Sequence, residues 1–195
     1  MIRAFTAVCA VTLAACSPDP APLNRRYELP PFTLTERSGR TFDSATLRGK
    51  VWVADFFFAN CAGTCLVLNN SMAGVHKAFA GNDAVHFVSI STDAENDTPA
   101  ALAAYAKRHF AAADDRWSFI VGPKDQVFDL SIKGFKLALV EQPDAIIPDQ
   151  KFVHSTKLVL VDKAGWIRGY YDGIGETAEK ERARIIADIK RLIAE

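Results

Sequence analysis

The segment VWVADFFF, Val51 to Phe58, limits the fold more than any other stretch: seven of its eight residues are apolar. A strand with no polar side has to be covered on both faces, which places it inside a sheet with helices above and below. VHFVSIST, Val85 to Thr92, has the same character and is a second buried strand. A helix is expected between them, from about Ala62 to Phe79. DTPAALAAYAKRHF forms another, with Asp97 or Thr98 as its cap and Pro99 in its first turn. WSFIVG is a short strand, PKDQVFDLSIKG a helix closed by Gly134, and FTLTERSGRTF a hairpin turning at Ser38-Gly39. STKLVLVDKAGWIRGYYDG supplies two strands around the turn Asp162 to Gly165, and a terminal helix runs from about Glu176 to Ala194. This is an α/β plan in which parallel strands come first and an antiparallel pair closes the sheet.

The charge distribution gives no case for nucleic acid. The 195 residues carry 23 basic and 23 acidic side chains, with no Lys/Arg cluster. The N-terminus is distinctive. MIRAFTAVCAVTLAAC has one positive charge, Arg3, then an apolar run and small residues before Cys16, the layout of a secretory signal. The run is shorter than the roughly 20 apolar residues of a membrane-spanning helix. Leu13-Ala14-Ala15-Cys16 resembles a bacterial lipobox, in which cleavage leaves a lipid-modified Cys16 as the new N-terminus. The expected organisation is a lipoprotein signal over 1–16, a Pro-rich tether over 17–27 and one domain over 28–195. Cys9 leaves with the signal, so Cys61 and Cys65 are the thiols of the mature chain, in a compartment that permits disulfides.

Those two cysteines stand where a central strand turns into a helix, the end of an α/β sheet at which sites collect. Residues i and i+4 of a helix lie about 5–6 Å apart at Cβ. Two thiols at that spacing can chelate one ion or, after a small adjustment, close a disulfide, which needs Cα separations of about 4.4–6.8 Å. The head of a helix favours negative charge, so thiolate character is expected at least at Cys61.

A pair of thiolates is an incomplete metal site. His76, His86 and His109 read as structural or surface residues. His154 differs, because it precedes a strand and follows a long irregular stretch from Val140 to Val153. Two sulfurs and an imidazole suit a soft ion: Cu(I) accepts such a low-coordinate set, and a flatter arrangement accepts Cu(II). Zinc would ask for a fourth ligand, which no recognisable spacing supplies. Asp55 supports a rival chemistry. A buried carboxyl beneath a cysteine pair could take and return a proton during thiol–disulfide exchange, or simply bond a neighbouring group.

Three separated stretches, VWVADFFFANCAGTC, FVSISTDAENDTPAALAAYAKRH and HSTKLVLVDKAGWIRGYYDG, carry a resemblance. In that order, within a domain from about Leu29 to Glu195, they resemble the Sco/SenC family of thioredoxin-fold copper proteins of bacterial membranes and mitochondria. The resemblance implies a thioredoxin-like fold, a central mixed sheet flanked by helices. It implies copper, as Cu(I) and/or Cu(II), on Cys61, Cys65 and His154, while the spacing of the two cysteines leaves a disulfide between them open as well. It also implies that the protein delivers copper to the site in cytochrome c oxidase subunit II, or maintains the cysteines there, from a lipid anchor on the periplasmic side of a bacterial membrane. Subunit II or its assembly factors, and a thiol–disulfide reductant, are the expected partners. Many members have proline after each cysteine, where this chain has Ala62 and Leu66. Asp55 sits at the offset of the buried acid of thioredoxins, and Val153-His154-Ser155 stands where they place a proline. A metallochaperone, which exchanges ligands and is not an enzyme in the usual sense, is therefore the leading expectation. A thiol–disulfide oxidoreductase using Cys61, Cys65 and Asp55 is the alternative, and a redox or copper sensor a third.

Overall fold

The computed structural model describes residues 22–61, 63–110, 114–146 and 151–195. The signal, Cys16 and Ala62 lie outside the described residues, as does the tether up to residue 21.

An eight-stranded sheet forms the centre, in the order β1-β10-β9-β4-β5-β6-β2-β3. The all-apolar segment becomes β4 (Val51–Phe57), all seven residues buried. It runs parallel to β5 (Val85–Ser91), in register from Val51↔Val85 to Phe57↔Ser91, and antiparallel to β9 (Lys157–Val161). β6 (Trp117–Val121) extends the parallel part. β10 (Trp166–Asp172) and β1 (Tyr27–Glu28) close one side. The hairpin β2–β3 (Thr33–Glu36, Thr41–Asp43) closes the other.

Side chains of β4 alternate between two cores, as the two-residue period of a strand requires. Val51, Val53 and Phe57 face helices α1 (Thr64–Ala78), α2 (Pro99–His109) and α4 (Ala178–Ala194). Trp52, Ala54 and Phe56 face α3 (Lys124–Asp129), the π-helical turn Leu130–Gly134 and the N-terminal loops. Phe135 stands edge-on against Trp52 at 6.0 Å and Phe56 at 5.3 Å. Phe56, Phe57 and Phe58 are at most 1% exposed, and burial of each contributes on the order of 2–3 kcal/mol. This is the mixed sheet flanked by helices that the sequence implies.

Several local expectations are met. Thr98 caps α2, accepting from the Ala101 amide at 3.2 Å, with Pro99 as first residue. The hairpin turns at Gly39, whose φ of 82° suits glycine. Two differ. α1 begins at Thr64, so Cys61 lies in the loop before the helix and only Cys65 is in its first turn. The stretch expected to be irregular, Val140 to Val153, starts and ends in a two-stranded ribbon, β7 (Leu139–Glu141) with β8 (Phe152–His154), paired Leu139↔His154, Val140↔Val153 and Glu141↔Phe152. Lys136, with φ of 57°, turns the chain from the end of α3 towards this ribbon. The chain is already docked at Leu23, whose carbonyl accepts from Arg168 at 2.9 Å. No described helix is long and apolar enough to cross a membrane.

Candidate metal centre

The loop after β4 delivers Cys61, the first turn of α1 delivers Cys65, and the end of β8 delivers His154. The Cys65 amide donates to Cys61 Sγ at 3.3 Å, so the first turn of the helix directs a backbone N–H at that sulfur and favours negative charge there. Cys65 Sγ lies 3.1 Å from His154 Nε2. His154 Nδ1 is 3.0 Å from the Ser155 carbonyl oxygen, which can only accept; Nδ1 therefore carries the ring proton and Nε2 presents a lone pair to Cys65. Burial pushes the His154 pKa down, which keeps the ring neutral, and the Ser155 bond opposes this in part. The ring stands edge-on to Phe58, centroids 6.1 Å apart.

No disulfide joins the cysteines. Cys65 departs from a simple thiolate picture: hydrogen bonding to Cys61 and burial both push its thiol up, so it keeps its proton. The sulfurs are also less accessible than a surface site would make them, Cys61 being 4% exposed and Cys65 0%. The structure brings the three residues together without closing a coordination sphere. Among the described residues, no group of three or more His, Cys, Asp or Glu side chains is set to hold an ion. The donor set, two sulfurs and an imidazole with its lone pair already turned inward, nevertheless fits a soft cation once Cys65 loses its proton and the pair turns towards the ring.

Asp55 projects from β4 towards α1 and α2 and is fully buried. Asn69 Nδ2 donates to its Oδ2 at 2.6 Å, while Oδ1 has no hydrogen-bond partner among the described residues. Burial pushes the carboxyl up to about 7, against the opposing pull of Ser89 and Asn69. Tyr105 donates to Asn69 Oδ1 at 2.9 Å, and Trp117 Nε1 to Ser89 Oγ at 3.0 Å. Asn69 and Tyr105 escape sequence reasoning. The available signal was a polar residue four positions after Cys65, on the helix stripe otherwise made of Leu68, Met72 and Val75.

A second polar cluster braces the segments that carry Cys61 and His154. Asp97, expected only as a possible cap, instead accepts from the Ala59 amide at 2.9 Å and from Ser91 Oγ at 2.6 Å, fixing the chain two residues before Cys61. Asp93, 2% exposed, accepts from Lys151 Nζ at 3.1 Å, and the same ammonium reaches Glu95 at 3.0 Å. Lys151 leads directly into β8, so the loop after β5 holds the cysteine loop with one carboxylate and the histidine strand with another. The remaining histidines are structural: His76 Nε2 bonds Asp114 at 3.1 Å, His86 Nε2 lies 3.3 Å from Lys50 Nζ, and the His109 ring lies tilted against Tyr105.

A family model, SCO1/SenC, matches residues 21–194. The fold is similar to a SCO1/SenC family lipoprotein from Bacillus anthracis (31% identity, TM-score 0.76, covering 87% of this chain and 96% of that one). It is similar to BsSco, a member of the Sco family of cytochrome c oxidase assembly proteins in which a disulfide switch has been identified (31%, TM-score 0.71, 86% and 94%). At 24% identity it shares its fold with Bradyrhizobium japonicum ScoI, solved with copper bound (TM-score 0.67, 85% and 99%).

Proposed function

The chain belongs to the SCO1/SenC family, and from that premise we propose that it is a copper metallochaperone, lipid-anchored through Cys16 and facing the periplasm of a bacterial cell, that serves the copper site of cytochrome c oxidase subunit II. The observation that carries this is the approach of His154 Nε2 to Cys65 Sγ, 3.1 Å, with Nδ1 committed to the Ser155 carbonyl. A histidine kept neutral, locked in one tautomer and aimed at a cysteine is what a third ligand needs and what a dithiol reductant does not. Copper is cargo here. Cys61 and Cys65 bind it as thiolates and His154 as imidazole, so loading releases the Cys65 proton. Few ligands make departure possible as well as arrival. Oxidation of the pair to a disulfide gives up two electrons and two protons to an oxidant and removes two ligands, which links redox state to loading. The solved relatives with copper bound and with a disulfide switch support both halves of this reading.

The second reading, a thiol–disulfide oxidoreductase, has Asp55 in its favour: a buried carboxyl with a pKa raised to about 7 could relay a proton. His154→Ala separates the two. Under anaerobic Cu(I) titration of the reduced protein, with X-ray absorption to count sulfur and nitrogen neighbours, copper retention collapses in this variant while dithiol exchange survives. Intact copper binding with slowed exchange would give the case to the oxidoreductase.

A further inference from the structure

Beside His154 lies an open groove of about 520 Å³, between the sheet edge at β1 and β10 and the ribbon strand β8. Arg26, Lys136 and Lys157 line it, and among the described residues no carboxylate does. In a chain with equal numbers of acidic and basic residues this is a local excess. Lys157 is paired with Asp172, but the other two cations have no carboxylate partner among the described residues. Lys136 Nζ donates to the Lys133 carbonyl and sits 5.6 Å from the centroid of the Tyr27 ring. Exposed apolar side chains gather on the same elements. Of the six large ones among the described residues, Tyr27 and Val153 line the groove, while Val140 is the cross-strand partner of Val153 and Ile146 lies in the turn beyond it. Apolar contacts rimmed by one sign of charge mark a protein-binding surface. With both cysteines buried, His154, half-buried at the end of β8, is the member of the trio that lines this groove.

Resting on the chaperone reading, we propose that the groove docks an acidic segment of the copper-accepting protein and so brings its ligands to the His154 side of the centre. The cations select the negative charge, and Tyr27 and Val153 supply the apolar contact. A membrane surface is the weaker fit, because the feature is a concave groove with His154 in its wall.

The test follows Cu(I) transfer from the purified full chain to the soluble copper-accepting domain of cytochrome c oxidase subunit II, across a series of NaCl concentrations. R26E/K136E is the variant, with R26Q/K136Q as a milder pair. Both should keep Cu(I) affinity within about twofold, since neither residue is a ligand. Transfer by the reversed pair should slow at least about tenfold at low salt, and the fall of the wild-type rate with added salt should vanish or invert. Wild-type rates and salt dependence in both variants would overturn the groove and leave the chaperone reading standing. Loss of copper affinity in both variants would also overturn it, making the cations part of the centre. So would unchanged transfer together with lost binding to phosphatidylglycerol/phosphatidylethanolamine vesicles, which would give the patch to lipid. If the wild type transfers nothing to this domain, the functional reading fails and the docking proposal fails with it.

Discussion

Replacing Asp55 with Asn isolates the energetic consequence of a buried acid. The carboxyl ordinarily titrates at 3.8 and is pushed up to about 7 by burial. Between those values the unfolded chain has released its proton while the folded chain retains it, so wild-type stability is greatest at low pH and is lost as pH rises towards 7. Above that both states are ionised and no further loss accrues. A rise from 3.8 to about 7 corresponds to about 4 kcal/mol in total. Asn is nearly isosteric, can accept the Asn69 bond through its carbonyl oxygen, and does not titrate. D55N should therefore gain on the wild type by about 4 kcal/mol between pH 4 and pH 8, whatever constant offset its amide introduces. Urea unfolding of the reduced proteins at half-unit pH steps measures this, and groups common to both chains cancel in the difference. A difference that stays flat across that range, or one in which the wild type gains with rising pH, would refute the reasoning.

Lys151→Met should loosen the ribbon that carries His154 and leave Asp93 buried without its cation. Copper affinity should fall about tenfold, the scale of a lost partner just outside a metal's ligands, with recovery in Lys151→Arg; the His154 imidazole NMR shift of the reduced, metal-free protein should move with it, and an unmoved shift with full affinity would exclude the brace. Tyr105→Phe leaves Asn69 Oδ1 buried without its donor. Urea unfolding should show a loss of about 1–3 kcal/mol, and equal stability would mean that the bond is unimportant.

The centre of the sheet was readable because β4 and β5 carry continuous apolar runs, which leave no alternative to burial on both faces. Thr98-Pro99 and Ser38-Gly39 were readable because caps and turns use local chemistry. The ribbon was not. Its strands are three residues each, with no periodicity to detect, and they exist because Leu139 and Phe152 find the core around Phe58. The centre itself divides the same way. Cys61 and Cys65 announce themselves by spacing, although the helix starts too late to hold both. His154 is set apart from His76, His86 and His109 only by its place between an irregular stretch and a strand, and it is the family resemblance that makes it a ligand. Asp97 looked like a cap because its neighbour Thr98 is one; its bond to the Ala59 amide depends on a segment 38 residues away. Asp55 stands out as an acid in an apolar strand, but its partner Asn69 and the Tyr105 that holds Asn69 sit on two different helices and meet only in the folded state.

Cys65 and His154 are 89 residues apart in the chain. A newly made polypeptide therefore emerges with its two sulfurs long before the imidazole, and they cannot meet until β8 has paired with β7 and packed against Phe58. On the chaperone reading, full affinity for cargo is thus acquired only when that ribbon closes. A half-assembled copy is left with a bare dithiol, which competes poorly for the ion and is open to oxidation in the meantime.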